Sequence, residues 1–214
     1  MHDDVEDGVI KHKWRLIRNK KDKGNELYDF LVDRDTSESL ASDKEGIILP
    51  LLDSYTKWYG EISANSEPFP PFVVNHEKES ELTLYSHSWI GENMSPWHQR
   101  HVRKADEGSR VHSIRFDHPG RYRVELRRWP REDGSAIDSK CKTGDCKTLS
   151  PAKASVKIGG LDTKLADIQP GDTSVSFEMD VNNTEPTTIT TAFLDAEGNV
   201  ICGAYCTYIK ALAK

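Results

Sequence analysis

Between Trp97 and Trp129 the sequence gathers side chains suited to an anionic ligand that carries a ring. In residues 121–127, read as a strand, Tyr122, Val124 and Leu126 take one face while Arg121, Arg123, Glu125 and Arg127 take the other, and Trp129 follows in the second parity. A guanidinium can donate two parallel hydrogen bonds to an oxyanion, and an indole face can stack on a sugar ring. Arg123, Arg127 and Trp129 would then hold a sulfated glycan or an aryl sulfate, with Trp89, Trp97, Arg100 and His101 from the preceding stretch completing the site. The same arginines can equally pair with acidic strands, Trp129 packing at a sheet edge and the preceding residues capping the fold. Charge is polarised in a way that suits either outcome: residues 98–131 hold ten Arg/Lys against four Asp/Glu, and residues 161–199 hold eight acids against one lysine.

Catalytic and metal-binding patterns are missing. The eight histidines scatter along the chain without an H-E-x-x-H pattern, and there is no G-x-S-x-G elbow or phosphate loop. The cysteines form a C-x4-C pair, Cys141 and Cys146, and a C-x3-C pair, Cys202 and Cys206. On one strand the second pair would stand about 13 Å apart, too far to share a zinc ion. The first pair can close a small disulfide in an oxidising compartment or remain two free thiols. No catalytic residue, metal ligand or cofactor is expected on this chain.

With 214 residues, 36% of them apolar, the chain can bury an ordinary core. A net charge of -6 argues against a general nucleic-acid binder. No apolar run approaches the roughly 20 residues that cross a bilayer, and residues 1–7 are acidic where a signal peptide is basic and then apolar. Neither a membrane span nor an export signal is expected, and the compartment stays unassigned.

The elements that would position these side chains fall into two regions. Residues 9–17 and 26–32 read as an antiparallel hairpin with a long polar turn over residues 19–25. Ser42 to Glu45 has the form of a capping box, after which Ile48, Leu51, Leu52, Tyr55, Trp58, Tyr59 and Ile62 recur at helical spacing, with Pro50 predicting a late start or a kink. Residues 64–71 are rich in proline and read as a linker between region 1–63 and region 72–214. Beyond it the period becomes two over residues 111–116, 121–127, 154–158, 175–181, 188–194 and 200–209, separated by Pro-Gly and Gly-Asn reversals. The expected fold is mainly β, α+β overall: a short hairpin plus one helix, then an antiparallel β-sandwich.

Several short motifs carry a resemblance. Trp14-Arg-Leu-Ile17, then Glu26-Leu-Tyr-Asp29, then Asp33, Asp35 and Glu38, then a helix bearing Tyr55, Trp58 and Tyr59, resemble the carboxyl-terminal end of the sulfatase catalytic domain. Region 72–214 is similar to the β-sandwich appended to a subset of arylsulfatases, through Ser95-Pro-Trp-His-Gln-Arg-His-Val-Arg103, Tyr122 with Leu126-Arg-Arg-Trp-Pro130, Lys157-Ile-Gly159 and Ile201-Cys-Gly-Ala-Tyr205. That resemblance implies hydrolysis of sulfate esters by a formylglycine, made from the Cys or Ser of C/S-x-P-x-R, beside a calcium ion. Both parts belong to the family's amino-terminal core. The near match here, Asp117-His-Pro-Gly-Arg121, has an aspartate that cannot become an aldehyde, and a Pro-Gly hairpin turn accounts for it.

The expectation is therefore the carboxyl-terminal portion of a sulfuric ester hydrolase, inactive alone, with the missing catalytic core and a sulfated glycan or aryl sulfate as partners, and neither nucleic acid nor membrane. Members of the family are commonly periplasmic or secreted. A stand-alone carbohydrate-binding module is the alternative. A truncated or split product predicts an open hairpin edge and an uncovered helix stripe at Ile48, Leu52, Tyr55 and Tyr59, whereas a free-standing module predicts that the helix packs on the sandwich.

Overall fold

Three consecutive polar residues, Lys11, His12 and Lys13, divide the run expected as one strand at residues 9–17. His12 takes a positive φ of 55° and the chain doubles back, so that Lys11 pairs with Trp14. The result, in a computed structural model that describes residues 7–18, 24–64, 69–75, 79–93, 95–140 and 145–212, is a three-stranded antiparallel sheet and not the expected hairpin. Its strands are β1 (Asp7–Lys11), β2 (Trp14–Arg18) and β3 (Asn25–Asp29), in that order. Residues 19–23 of the expected turn, 65–68 of the expected linker, Cys141, His2 and His76 lie outside the described residues.

The chain divides into two units, Met1–Pro68 and Phe69–Lys214. In the first, helix α1 (Glu45–Ala64) lays Ile48 and Leu51 on Leu16 and Leu27 of the sheet, with Val9, Trp14 and Leu52 at the margin. Each such side chain, fully buried, stabilises by about 1.5–3 kcal/mol. The capping box does not form. Ser42 Oγ bonds the Asp43 carboxylate, the Asp43 and Lys44 N–H groups donate to Leu40 O, and the helix opens at Glu45. Pro50 is its sixth residue, inside the helix and not before it. Burial of the apolar stripe ends at Tyr55, over whose ring Arg18 lies at 4.7 Å, while Trp58, Tyr59 and Ile62 are exposed. Asp33, one of the acids in the resemblance, accepts the N–H groups of Ser37 and Glu38, which hold its carboxyl below the usual carboxylate range.

The second unit is the sandwich. Its strands are β4 (Phe72–Val74), β5 (Glu81–Tyr85), β6 (Val111–Phe116), β7 (Gly120–Arg127), β8 (Lys153–Ile158), β9 (Lys164–Asp167), β10 (Val175–Val181), β11 (Thr187–Leu194), β12 (Val200–Cys202) and β13 (Cys206–Ala211), with the short helix α2 (Gln99–Lys104) after β5. One sheet runs β10-β7-β13-β5; the other runs β4-β6-β11-β8-β9 with β12 on β11, and only the β4–β6 pair is parallel among the described strands. Alternation decides which side faces inward: Val175, Phe177, Met179 and Val181 of β10 and Tyr122, Val124 and Leu126 of β7 meet Ile114, Phe116, Val156, Ile189 and Phe193 of the facing sheet in one core.

Two further expectations change. Residues 117–121 do not make a hairpin, because β6 and β7 belong to different sheets; the Pro-Gly turn is a corner between layers, tied by the Tyr122 hydroxyl donating to His118 O at 2.5 Å. Residues 200–209 are not one strand either. The chain leaves one sheet after Cys202 and enters the other at Cys206, and at Gly203 a Cβ would stand 2.6 Å from the Trp89 ring, so only glycine lets the backbone cross there. Cys202 and Cys206 are both buried and free, and Cys146 is disulfide-bonded.

Candidate functional site

At one end of the sandwich, where β7 runs out, the alternation of inward and outward side chains stops. Arg127, Arg128 and Trp129 are all buried, at 8%, 0% and 3% exposure. Arg128 continues the inward parity of Tyr122, Val124 and Leu126, so its guanidinium enters the protein and must be satisfied there. It donates through one terminal nitrogen to the carbonyls of Ile137 and Ser139, and through the other to those of Val102, Arg103 and Lys147, at 2.8–3.5 Å. Helix α2 and two separate loops are thus fastened by one cation, which forms no ion pair with a carboxylate among the described residues. Burial lowers its pKa from the ordinary arginine value, and its charge sits 4.5 Å from the Trp129 ring.

Arg128, Trp129 and Pro130 are among the residues that line a cleft of about 310 Å³. Most of the other lining residues come from the end of β5, the segment that follows it and α2. Ser86 Oγ donates to Pro96 O at 2.8 Å and Ser95 Oγ to Trp89 O at 2.5 Å, which holds residues 86 and 89 against residues 95 and 96. His98 then caps α2, its Nδ1 accepting the Arg100 N–H at 3.1 Å, and the helix ends at Ala105 in a left-handed conformation. This presents Trp97, which is 64% exposed, edge-on to His98 at 5.6 Å and against His101 at 5.9 Å. His101 is itself buried and held by the Asp106 carboxylate at 2.6 Å. Tyr85, His87, Tyr205 and Cys206 also line the cleft, and none of its lining residues is acidic.

Of the six residues expected to bind ligand, the cleft brings together two, Trp97 and Trp129. Arg123 stands on the outer face of the β10-β7-β13-β5 sheet, 4.0 Å from Glu178, which Arg121 also engages at 2.6 Å. Arg127 bonds Glu125 at 3.1 Å and Thr173 at 3.1 Å. The expected exposed guanidinium row ending in an indole is therefore not present: its first members face solvent in cross-strand pairs, and its last members are packed inside. Arg100 is exposed on α2, and His101 supports Trp97 from within. Trp89 is buried, stacked on Tyr205 at 5.6 Å. Sequence reading missed Arg128, although its parity with Leu126 marks an arginine on the core side of a strand; it also missed Tyr85 and His87, which the turn after β5 places.

Two side chains of the lining, Cys206 and Tyr205, carry groups that could act as nucleophiles once deprotonated, and burial opposes that in both. Burial pushes the Cys206 thiol up to about 12, so it stays protonated. The Tyr205 hydroxyl donates to Asp106 O at 2.6 Å, and burial raises its pKa as well. Behind the cleft, His112 donates Nε2–H to Tyr85 O at 3.0 Å, and burial brings it to about 4, leaving it neutral. Among the described residues no three His, Cys, Asp or Glu side chains gather to hold a metal ion, and the sequence contains no C/S-x-P-x-R motif. No helix among the described residues is long and apolar enough to cross a membrane. Neither a family model nor a curated protein matches the chain.

Proposed function

We propose that this chain is the carboxyl-terminal portion of an arylsulfatase-like sulfuric ester hydrolase, in which it closes the catalytic domain and helps to position substrate without turning it over alone. One observation carries the reading. Three of the four segments through which the sandwich resembles its arylsulfatase counterpart, residues 95–103, 126–130 and 201–205, converge on the single cleft described above. Distant segments that share a resemblance and meet at one concave surface favour a common site over chance likeness. In the first unit, the Trp14 and Glu26 motifs stand on the paired strands β2 and β3; of the helix stripe that an absent core was expected to leave uncovered, Ile48 and Tyr55 are buried, Leu52 is half-buried and Tyr59 alone is exposed, so that expectation fails for most of the stripe.

The nucleophile and calcium of such an enzyme would come from polypeptide preceding this chain. The test is to read the frame upstream of Met1, where a C/S-x-P-x-R motif is expected, and to offer 4-nitrophenyl sulfate to the purified chain, from which no nitrophenol should be released. An upstream frame without the motif, or turnover by the chain alone, overturns the reading. A stand-alone carbohydrate-binding module is the second reading, favoured by the fact that the whole lining of the cleft comes from residues 85–206.

A further inference from the structure

We propose that strand β1 is an interface: a second copy of this chain adds its own β1 antiparallel, edge to edge, with the two-fold axis at Val9. The two edges of the three-stranded sheet differ. On β3 the chain itself takes the outward groups, the Leu27 N–H donating to Ser39 Oγ at 3.2 Å, Leu27 O accepting the Leu40 N–H at 2.7 Å and Asp29 O the N–H groups of Val32 and Asp33. Backbone groups alternate in direction along an antiparallel strand, so Tyr28 bonds its partner Arg15, Leu16 bonds Val9, and Gly8 and Ile10 of β1 turn outward. No backbone bond from the described residues meets them. The register of β1 on β2 runs from Asp7 to Lys11 without a shift and the strand holds no proline, so neither a bulge nor a proline closes this edge.

Register selects the occupant. A two-fold pairing centred on Val9 uses both outward residues, Gly8 with Ile10 of the second copy and Ile10 with its Gly8, each pair exchanging both backbone bonds. The same register sets Asp7 opposite Lys11 of the second copy and Lys11 opposite its Asp7. Centring the pairing on Gly8 or on Ile10 keeps only one such backbone pair within β1 and takes Lys11 away from Asp7. Hydrogen-bond phase and charge order in Asp7-Gly-Val-Ile-Lys11 therefore agree on one partner, this same strand in the opposite direction. Packing agrees as well. Val9 lies at the margin of the α1 cluster, so Ile10, 62% exposed, is on the opposite face of the sheet. Laid over Gly8 of the second copy, which offers no side chain, Ile10 reaches toward the residue paired with that glycine, Ile17. A five-residue edge is a small contact beside the roughly 1,200 Å² at which stable interfaces begin, so the dimer is reversible. It forms whether or not the chain serves a hydrolase.

Sedimentation velocity of the full chain over a dilution series, at low salt, is expected to show a monomer–dimer equilibrium. Ile10→Pro removes an N–H that β1 does not use within its own sheet, so it should weaken dimerisation by at least about tenfold while the circular dichroism of the dilute chain stays the same. Asp7→Lys and Lys11→Asp, each alone, bring like charges together and should weaken it by a similar factor. Mixed, these two variants should recover a heterodimer, because each supplies the charge that the other lacks. Should Ile10→Pro disturb the fold, that recombination still decides. A chain that stays monomeric at every concentration, a dimer unmoved by a folded Ile10→Pro variant, or charge variants that fail to pair on mixing overturns the proposal.

Discussion

Arg121 and Arg123 stand on the outer face of β7, 61% and 54% exposed, and share Glu178. Four residues further on, Arg127 and Arg128 are packed away, and Arg128 has five backbone carbonyls and no carboxylate partner among the described residues. The same side chain therefore does two kinds of work within one strand and its exit. On the outer face water screens the charge and the pairs hold little energy. At the exit the charge has left water, so every carbonyl it meets becomes part of the fold's stability. What differs is solvent access, not residue type, and the cleft lies where the arginine is enclosed.

The largest consequence is for Arg128. Arg128→Met should cost roughly 3–5 kcal/mol in urea unfolding, because five carbonyls on helix α2 and two loops lose their donor. A loss no larger than that of an outer-face arginine would erase the contrast. Next comes the buried histidine behind the cleft. Unfolded, His112 takes up its proton near pH 6.5; folded, it does so only near pH 4. Its stabilising contribution is complete above pH 6.5 and is lost as pH falls toward 4, amounting to about 3 kcal/mol. Thermal unfolding followed over that window, with His112→Gln as the control in which this component disappears, checks the sign. The smallest effect belongs to the outer face: Arg123→Ala should change stability by less than about 0.5 kcal/mol, and raising the salt should not alter that result. A cost of several kcal/mol there would mean that the Glu178 pairing is worth far more than its exposure allows.

Much of the sandwich was legible in the chain. The alternation over residues 121–127 put Tyr122, Val124 and Leu126 on one face, which is the inward face of β7, and residues 175–181 were expected as the alternating strand that β10 is, since a pleated strand with one side in a core must alternate. Periodicity could not say which strands share a sheet, and so the Pro-Gly corner between β6 and β7 looked like a hairpin. It could not see that a run from Val200 onward changes layers, because what stops the strand is a ring 2.6 Å from the Gly203 position, supplied by Trp89 more than a hundred residues earlier. The segment bearing Trp97 looked like a loop, because the His98 cap and the six-residue helix α2 are too short to show a period. Strand β5 was the fairer miss to regret: Leu82 and Leu84 alternate in plain view.

Residue order by itself determined the mainly β character, the helix over the Ile48 stripe and the inward parity of Arg128, because these depend on neighbours within a few positions. Tertiary structure alone decided that Trp97 and Trp129 face one cleft while Arg123 does not, and that Arg127 is buried. Burial is a property of what the rest of the chain brings alongside, and the partners that enclose Arg128 come from residues 102–103, 137–139 and 147, which no local pattern connects.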